Sequence, residues 1–143
     1  MAAVPAVTAL SVAAAATMDS GFLLLATPVF VNLFLLGLFG GSLATEETIV
    51  ERLASLTNPS LSADQRSYCR GVTAVWCGVF LLNASVTAWL AWNGPLSWWA
   101  SYTGVYAYLL VGFVFAIEVS VRWSRFGREA VVPRSPGLAA PRP

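Results

Sequence analysis

Residues 71–92 read GVTAVWCGVFLLNASVTAWLAW and contain no charged side chain. A stretch of this length and polarity is typical of a transmembrane helix, because about 20 helical residues cross the hydrocarbon core of a bilayer. Two further apolar runs, residues 21–41 and 98–119, lie on either side of it. Together the three runs predict an all-α integral membrane protein, a small transmembrane helix bundle of three to four spans.

The composition agrees with this class. The chain has 143 residues, of which 57% are hydrophobic and only 10% are charged, whereas about 25% of the residues of a soluble domain are charged. We therefore predict one transmembrane helical domain over residues 1–126, with its last span ending near residue 121. Residues 127–143 are rich in Arg and Pro, and we expect a disordered tail there.

The distribution of charge predicts the topology. All eight basic residues are Arg, and the connector at residues 93–97 has no charge. Because cytoplasmic loops carry the excess of basic residues, we expect residues 42–70 and the C-terminus to be cytoplasmic in a multi-pass protein of the plasma membrane. The basic residues of these two regions are Arg52, Arg66 and Arg70, followed by Arg122, Arg125, Arg128, Arg134 and Arg142.

Residues 2–18 allow two interpretations. The segment is apolar and rich in Ala, but it is short and contains Pro5. It is either a weak additional span, which gives four helices, or a signal peptide without the usual basic residues at its start. The rest of the topology is the same in both cases.

The cytoplasmic segment 42–70 predicts two helices. Ile49, Leu53 and Leu56 recur at helical spacing, which indicates a short amphipathic helix on the inner membrane surface, ending at Asn58-Pro59. The tetrapeptide at 62–65, SADQ, then has the pattern of a capping box. The helix that it starts should continue unbroken to Trp92 and end at the turn-forming sequence Asn93-Gly94-Pro95.

Glu118 is the only acidic residue within an apolar run. It lies about 30 Å along the helix from Trp98, and therefore at the inner interface. Arg122 follows four residues later, in the favourable orientation for an ion pair, and Arg70 enters the membrane at the same level. Glu118 either pairs with an Arg to lock two helices together or forms a site for a lipid headgroup or a proton.

Three other residues in or beside the apolar runs are candidates for a functional role. Asn32 and Asn83 lie near the middle of their spans, where amides either hydrogen-bond across helices or line a substrate site. Cys69 lies at the cytoplasmic edge, and its spacing from Cys77 places the two thiols about 80° apart around a helix. We therefore expect neither a disulfide nor a metal site from this pair.

The chain contains no His. This excludes a Ser-His-Asp or Cys-His catalytic system and any His-ligated metal centre. There is also no phosphate-binding Gly-rich loop and no basic surface for nucleic acid. We expect no catalytic, cofactor or metal site, and an enzymatic role is disfavoured without being excluded.

From Pro28 onward the chain resembles a family of small bacterial inner-membrane proteins of uncharacterised function. Members are often encoded beside fatty-acid-like or aryl-polyene biosynthesis enzymes, and some are labelled "ketosynthase". The resemblance covers about two-thirds of the chain and is most specific at Tyr68-Cys69-Arg70 and Trp76-Cys77. It implies a bacterial inner-membrane setting. The label "ketosynthase" conflicts with this sequence, because a true condensing enzyme is a large soluble protein that uses His, and this chain is short and has no His. The matching residues also include Pro28, Asn32, Glu51, Arg52, Asn83, Trp98, Trp99, Tyr102, Gly104, Tyr108, Gly112, Phe115 and Glu118.

Two functional hypotheses follow. In the first, the protein is a non-catalytic docking subunit or scaffold of a lipid or polyene biosynthesis system, and its cytoplasmic Arg residues bind acidic acyl carrier proteins or other pathway enzymes. In the second, it is a lipid-handling carrier or membrane enzyme with a groove around Glu118. Membrane lipid is a partner in both, and homo-oligomerisation is left open. The groove of the second hypothesis is lined by Asn32, Asn83, Tyr106, Tyr108 and Glu118.

Overall fold

The structure is a computed structural model, and it describes Pro5, Ala9, residues 21–56 and residues 58–127. The predicted span or signal peptide at residues 2–18 and the predicted tail lie outside the described residues, apart from Pro5, Ala9 and Gly127. The described chain is helical and contains no strand. In order, its elements are α1 (Gly21–Leu43), α2 (Ile49–Ser55), α3 (Ala63–Asn93), α4 (Leu96–Ser101), a π-helical segment (Tyr102–Tyr106) and α5 (Ala107–Phe126).

Three helices in the described part of the chain are long and apolar enough to cross a membrane: Leu23–Leu43, Ala63–Asn93 and Leu96–Phe126. The last of these joins α4, the π-helical segment and α5 into one continuous helix. The all-helical prediction is confirmed, and each of the three apolar runs lies within one long helix.

Helix α3 begins and ends where the sequence predicts. Ser62 accepts a hydrogen bond from the Gln65 backbone N–H, and the Gln65 side chain accepts one from the Ser62 N–H at 2.9 Å, so the capping box is complete. The helix then continues to Asn93. Gly94 follows in a conformation where an added Cβ would lie 2.9 Å from the Leu90 carbonyl oxygen, which explains why glycine occupies this turn.

Helix α2 forms, and within the protein it buries a face other than the apolar stripe that we predicted to lie on the membrane surface. Thr48 caps its N-terminus and is fully buried, and Val50, Glu51 and Ala54 face inward. By contrast, Leu53 and Leu56 are 51% and 80% exposed. The helix also ends at Ser55, earlier than the predicted end at Asn58-Pro59. The apolar stripe of α2 is therefore not the face that packs into the core.

The best-packed part of the molecule lies between α1, α2 and α3. Helix α1 packs along α3, and Phe39 of α1 meets Phe80 of α3 edge to face, with ring centroids 5.1 Å apart. Near the start of α3, the core contains Val50, Ala54, Cys69 and Val72. This core fixes the N-terminal half of α3 against the other two helices.

The third long helix packs much less closely. Helix α5 has no buried residue and approaches α3 over a short stretch only. The π-helical segment Tyr102–Tyr106, which the sequence did not lead us to predict, lies just before α5. Segments of this kind usually interrupt α-helices at functional positions. The loose packing of α5 leaves open space between it and α3.

Candidate functional site: a cleft between two helices

An open cleft of about 890 Å³ separates α3 from α5. One wall is a stripe along α3 that runs through Asp64, Ser67, Gly71 and Val75. These residues are spaced by three and four positions, so they share one face of the helix and extend for about 16 Å along it.

The opposite wall has the same spacing on α5. It runs through Val114, Ile117, Val121 and Arg125, with Phe126 at its end. Because the two helices are antiparallel, the polar ends of the two stripes coincide and the apolar ends coincide. The cleft is therefore amphipathic, with charged groups at one end and aliphatic groups at the other.

Tyr68 holds the two walls together. Its hydroxyl donates a hydrogen bond to the backbone carbonyl of Glu118 at 3.3 Å, which sets the register of α5 against α3. Its ring meets Phe126 edge to face at 5.4 Å. The guanidinium groups of Arg122 and Arg125 lie 6.0 and 5.9 Å from the same ring, within the range of cation–π attraction.

Glu118 and Arg122 form the predicted ion pair within α5. The guanidinium of Arg122 donates from Nη2 at 2.6 Å and from Nε at 2.8 Å to one carboxylate oxygen of Glu118. The Glu118 side chain is only 13% exposed. This pair lies inside one helix, so it neutralises the buried carboxylate without joining α5 to α3.

Arg70 does not pair with Glu118. Its guanidinium donates to the backbone carbonyls of Leu43 and Thr45 and thereby caps the C-terminal end of α1. Arg66 is also engaged within the protein, because its guanidinium lies 2.9 Å from the buried carboxylate of Glu51. The described basic residues that make no ion pair and no hydrogen bond through the guanidinium are Arg52 and Arg125, both exposed.

The two asparagines differ in what they bind. The Asn83 amide oxygen accepts a 2.6 Å hydrogen bond from the Tyr102 hydroxyl, which joins α3 to the π-helical segment as cross-helix bonding predicts. The Asn32 amide instead donates to the Pro28 carbonyl of its own helix at 2.8 Å. Only Asn83 therefore links two helices.

The predicted groove of five polar residues is not assembled. Tyr106 and Tyr108 are 60% and 72% exposed on the outer surface. Of the five, only Glu118 lines the cleft, and only Glu118 lines a second cavity of about 490 Å³, which is bounded by α1, α2, α3 and α5. Trp76 and Val72 separate the two cavities, since both residues line each of them.

Cys69 and Cys77 are free thiols. Cys69 is 2% exposed and belongs to the core between α2 and α3, so it packs as a small apolar residue. In the described part of the chain, no three His, Cys, Asp or Glu side chains lie close enough to hold a metal ion.

Sequence reasoning missed most of the residues that line the cleft. Asp64 entered it only as part of the capping-box tetrapeptide, Arg125 entered it only as a basic residue, and Ser67 was not considered. A signal was present, because the polar-to-apolar stripes on α3 and α5 share the same spacing and run in opposite directions.

Comparisons with known proteins add nothing to this description: no family model, no curated protein and no solved structure matches the chain.

Proposed function

We propose that this protein is a multi-pass protein of the bacterial inner membrane that binds a lipid in the cleft between α3 and α5. Counting about 20 residues inward from the turn at residues 93–95, the hydrocarbon core extends to about residue 73 on α3 and residue 116 on α5. This depth divides the cleft at the inner interface. Val75, Trp76 and Val114 then lie at acyl-chain level, whereas Asp64, Ser67 and Arg125 lie outside the hydrocarbon core, on its headgroup side.

The amphipathic lining of the cleft is the observation that carries this proposal. An aliphatic end among acyl chains and a charged end among headgroups match the two halves of a lipid molecule. The arrangement of Arg residues supports the assumed orientation, because Arg52, Arg66, Arg70, Arg122 and Arg125 all lie at the same end of the bundle, which the positive-inside rule places in the cytoplasm.

Native mass spectrometry of the protein extracted in mild detergent tests this function. Gly71 lines the cleft and Gly78, two turns further along α3, does not. Both are exposed, and an added Cβ at either position would meet no atom within 4 Å. We expect the wild type and Gly78→Trp to retain a lipid and Gly71→Trp to lose it. Equal retention by the two variants would refute binding in the cleft.

A docking role is the second candidate, and one surface favours it. Helix α2 leaves Arg52, Leu53 and Leu56 exposed, and an Arg side chain suits the carboxylates and the phosphate of an acidic acyl carrier protein. The resemblance to a family encoded beside biosynthesis enzymes gives this partner its context. Arg66, Arg70 and Arg122 contribute less, since each is bonded within the protein.

Co-purification of acyl carrier protein from native membranes tests the docking role. Arg52→Glu with Leu56→Ser should abolish recovery of the carrier protein and leave membrane insertion unchanged. Recovery by this variant at wild-type level would exclude α2 as the docking surface.

A further inference from the structure

The charges at the polar end of the cleft are of opposite sign. Asp64 on α3 and Arg125 on α5 both line it. Both are exposed, and within the described residues neither belongs to an ion pair. The other two charges near the cleft, Glu118 and Arg122, neutralise each other. The cleft therefore presents one free anion and one free cation to whatever occupies it.

The two charged residues have different neighbours along the cleft. The Arg125 guanidinium lies 5.9 Å from the centre of the Tyr68 ring. The backbone of Asp64 lies one helical turn before Tyr68, about 6 Å further from the apolar end of the cleft. Arg125 is therefore placed beside Tyr68, and Asp64 begins one turn closer to the charged end of the cleft.

We propose that the lipid in this cleft has a zwitterionic aminophosphate headgroup, of the phosphoethanolamine type. In such a lipid the phosphate follows the glycerol directly and the amine lies two carbons further out. This order matches the cleft, with the phosphate at the Arg125 guanidinium, which suits phosphate oxygens, and the ammonium at the Asp64 carboxylate. The acyl chain extends between Val75 and Ile117. The inference rests on the proposed lipid-binding function and adds the headgroup class to it.

Competition between lipids in one preparation tests this inference. The full-length protein is mixed in detergent with equal amounts of phosphatidylethanolamine, phosphatidylglycerol and diacylglycerol of identical chains, and bound lipid is counted by native mass spectrometry. We expect the wild type to prefer phosphatidylethanolamine over phosphatidylglycerol by about threefold, because one partly exposed ion pair contributes a difference in affinity of about this size. Diacylglycerol, which lacks both charges, should bind least.

Two variants with matched controls assign the contacts. Asp64→Asn should remove the preference between the two phospholipids, whereas Glu46→Gln, an exposed acid outside the cleft, should keep it. Arg125→Gln should reduce binding of both phospholipids and keep the preference for phosphatidylethanolamine that Asp64 supplies, and Arg52→Gln, an exposed Arg outside the cleft, should change neither. Free phosphoethanolamine should fail to displace the lipid, because it has no acyl chain.

The outcomes separate the two proposals. Retention of lipid with no headgroup preference, or with a preference that Asp64→Asn leaves intact, overturns the headgroup assignment and leaves lipid binding standing. Displacement by free phosphoethanolamine alone also overturns it, because the site would then be one for a soluble phosphate. If the wild type retains no lipid of any class, the proposed function fails and the headgroup assignment fails with it.

Discussion

Replacing Arg66 by Met should detach α2 from α3. The Glu51 side chain is 5% exposed, and its Oε1 atom lies 2.9 Å from Arg66 Nη1. In Arg66→Met the carboxylate stays buried without its cation, while Met keeps most of the aliphatic packing of the Arg stem. The contact is important because α2 has only seven residues and buries only Val50, Glu51 and Ala54.

The size of the effect follows from burial of the two partners. Removing one member of a fully buried ion pair costs about 3–5 kcal/mol, whereas an exposed pair contributes about 0–1 kcal/mol. The Arg66 side chain is 51% exposed, so this pair is intermediate and we expect a loss of about 2 kcal/mol. A loss of that size increases the population of the detached helix roughly 30-fold.

Hydrogen exchange of the α2 amides in detergent micelles measures this population. Exchange should be roughly 30-fold faster in Arg66→Met and much closer to wild type in the double variant Glu51→Gln/Arg66→Met, where no buried charge remains. Glu47→Gln is the control, since Glu47 is 54% exposed and 4.0 Å from Arg66. Unchanged exchange in Arg66→Met, or equal damage in the double variant, would refute the reasoning.

Two further predictions concern the contacts of the third long helix. Tyr102→Phe removes the hydrogen bond to Asn83 and should lower the unfolding free energy in detergent by about 1 kcal/mol. The control Tyr106→Phe, at an exposed position, should leave the unfolding free energy unchanged. Equal effects of the two substitutions would show that the hydrogen bond to Asn83 adds no stability. Tyr68→Phe should broaden the distances between spin labels on α3 and α5, because it removes the hydroxyl that binds the Glu118 carbonyl. Glu118→Gln should leave these distances unchanged, since that contact involves its backbone, and broadening by Glu118→Gln alone would contradict the register described above.

The parts of the fold that local chemistry determines could be predicted from the sequence. The bounds of α3 follow from a capping box at Ser62 and a turn at Asn93-Gly94-Pro95, both of which act within a few residues. The Glu118–Arg122 pair is also local, because residues four apart face each other on any helix. Each of these predictions is independent of how the helices pack.

The failures concern which surfaces face each other. For α2 we assigned the apolar stripe of Ile49, Leu53 and Leu56 to the membrane surface and Glu51 to another face, but could not know that Glu51 would be buried against Arg66. That burial requires α3 to pass beside α2, which is information about tertiary packing. The cleft had the same difficulty, because its two walls lie about 50 residues apart in the sequence.

Photo-crosslinking with a lipid that carries a diazirine in its acyl chain tests the central claim most directly. In membranes of a bacterial expression host, we expect labelling to be concentrated on the cleft walls around Gly71–Val75 and Ile117–Val121. Excess unlabelled lipid should reduce this labelling. Labelling spread evenly over exposed apolar residues such as Leu81 and Phe113, without competition, would show ordinary bilayer contact and contradict a lipid-binding cleft.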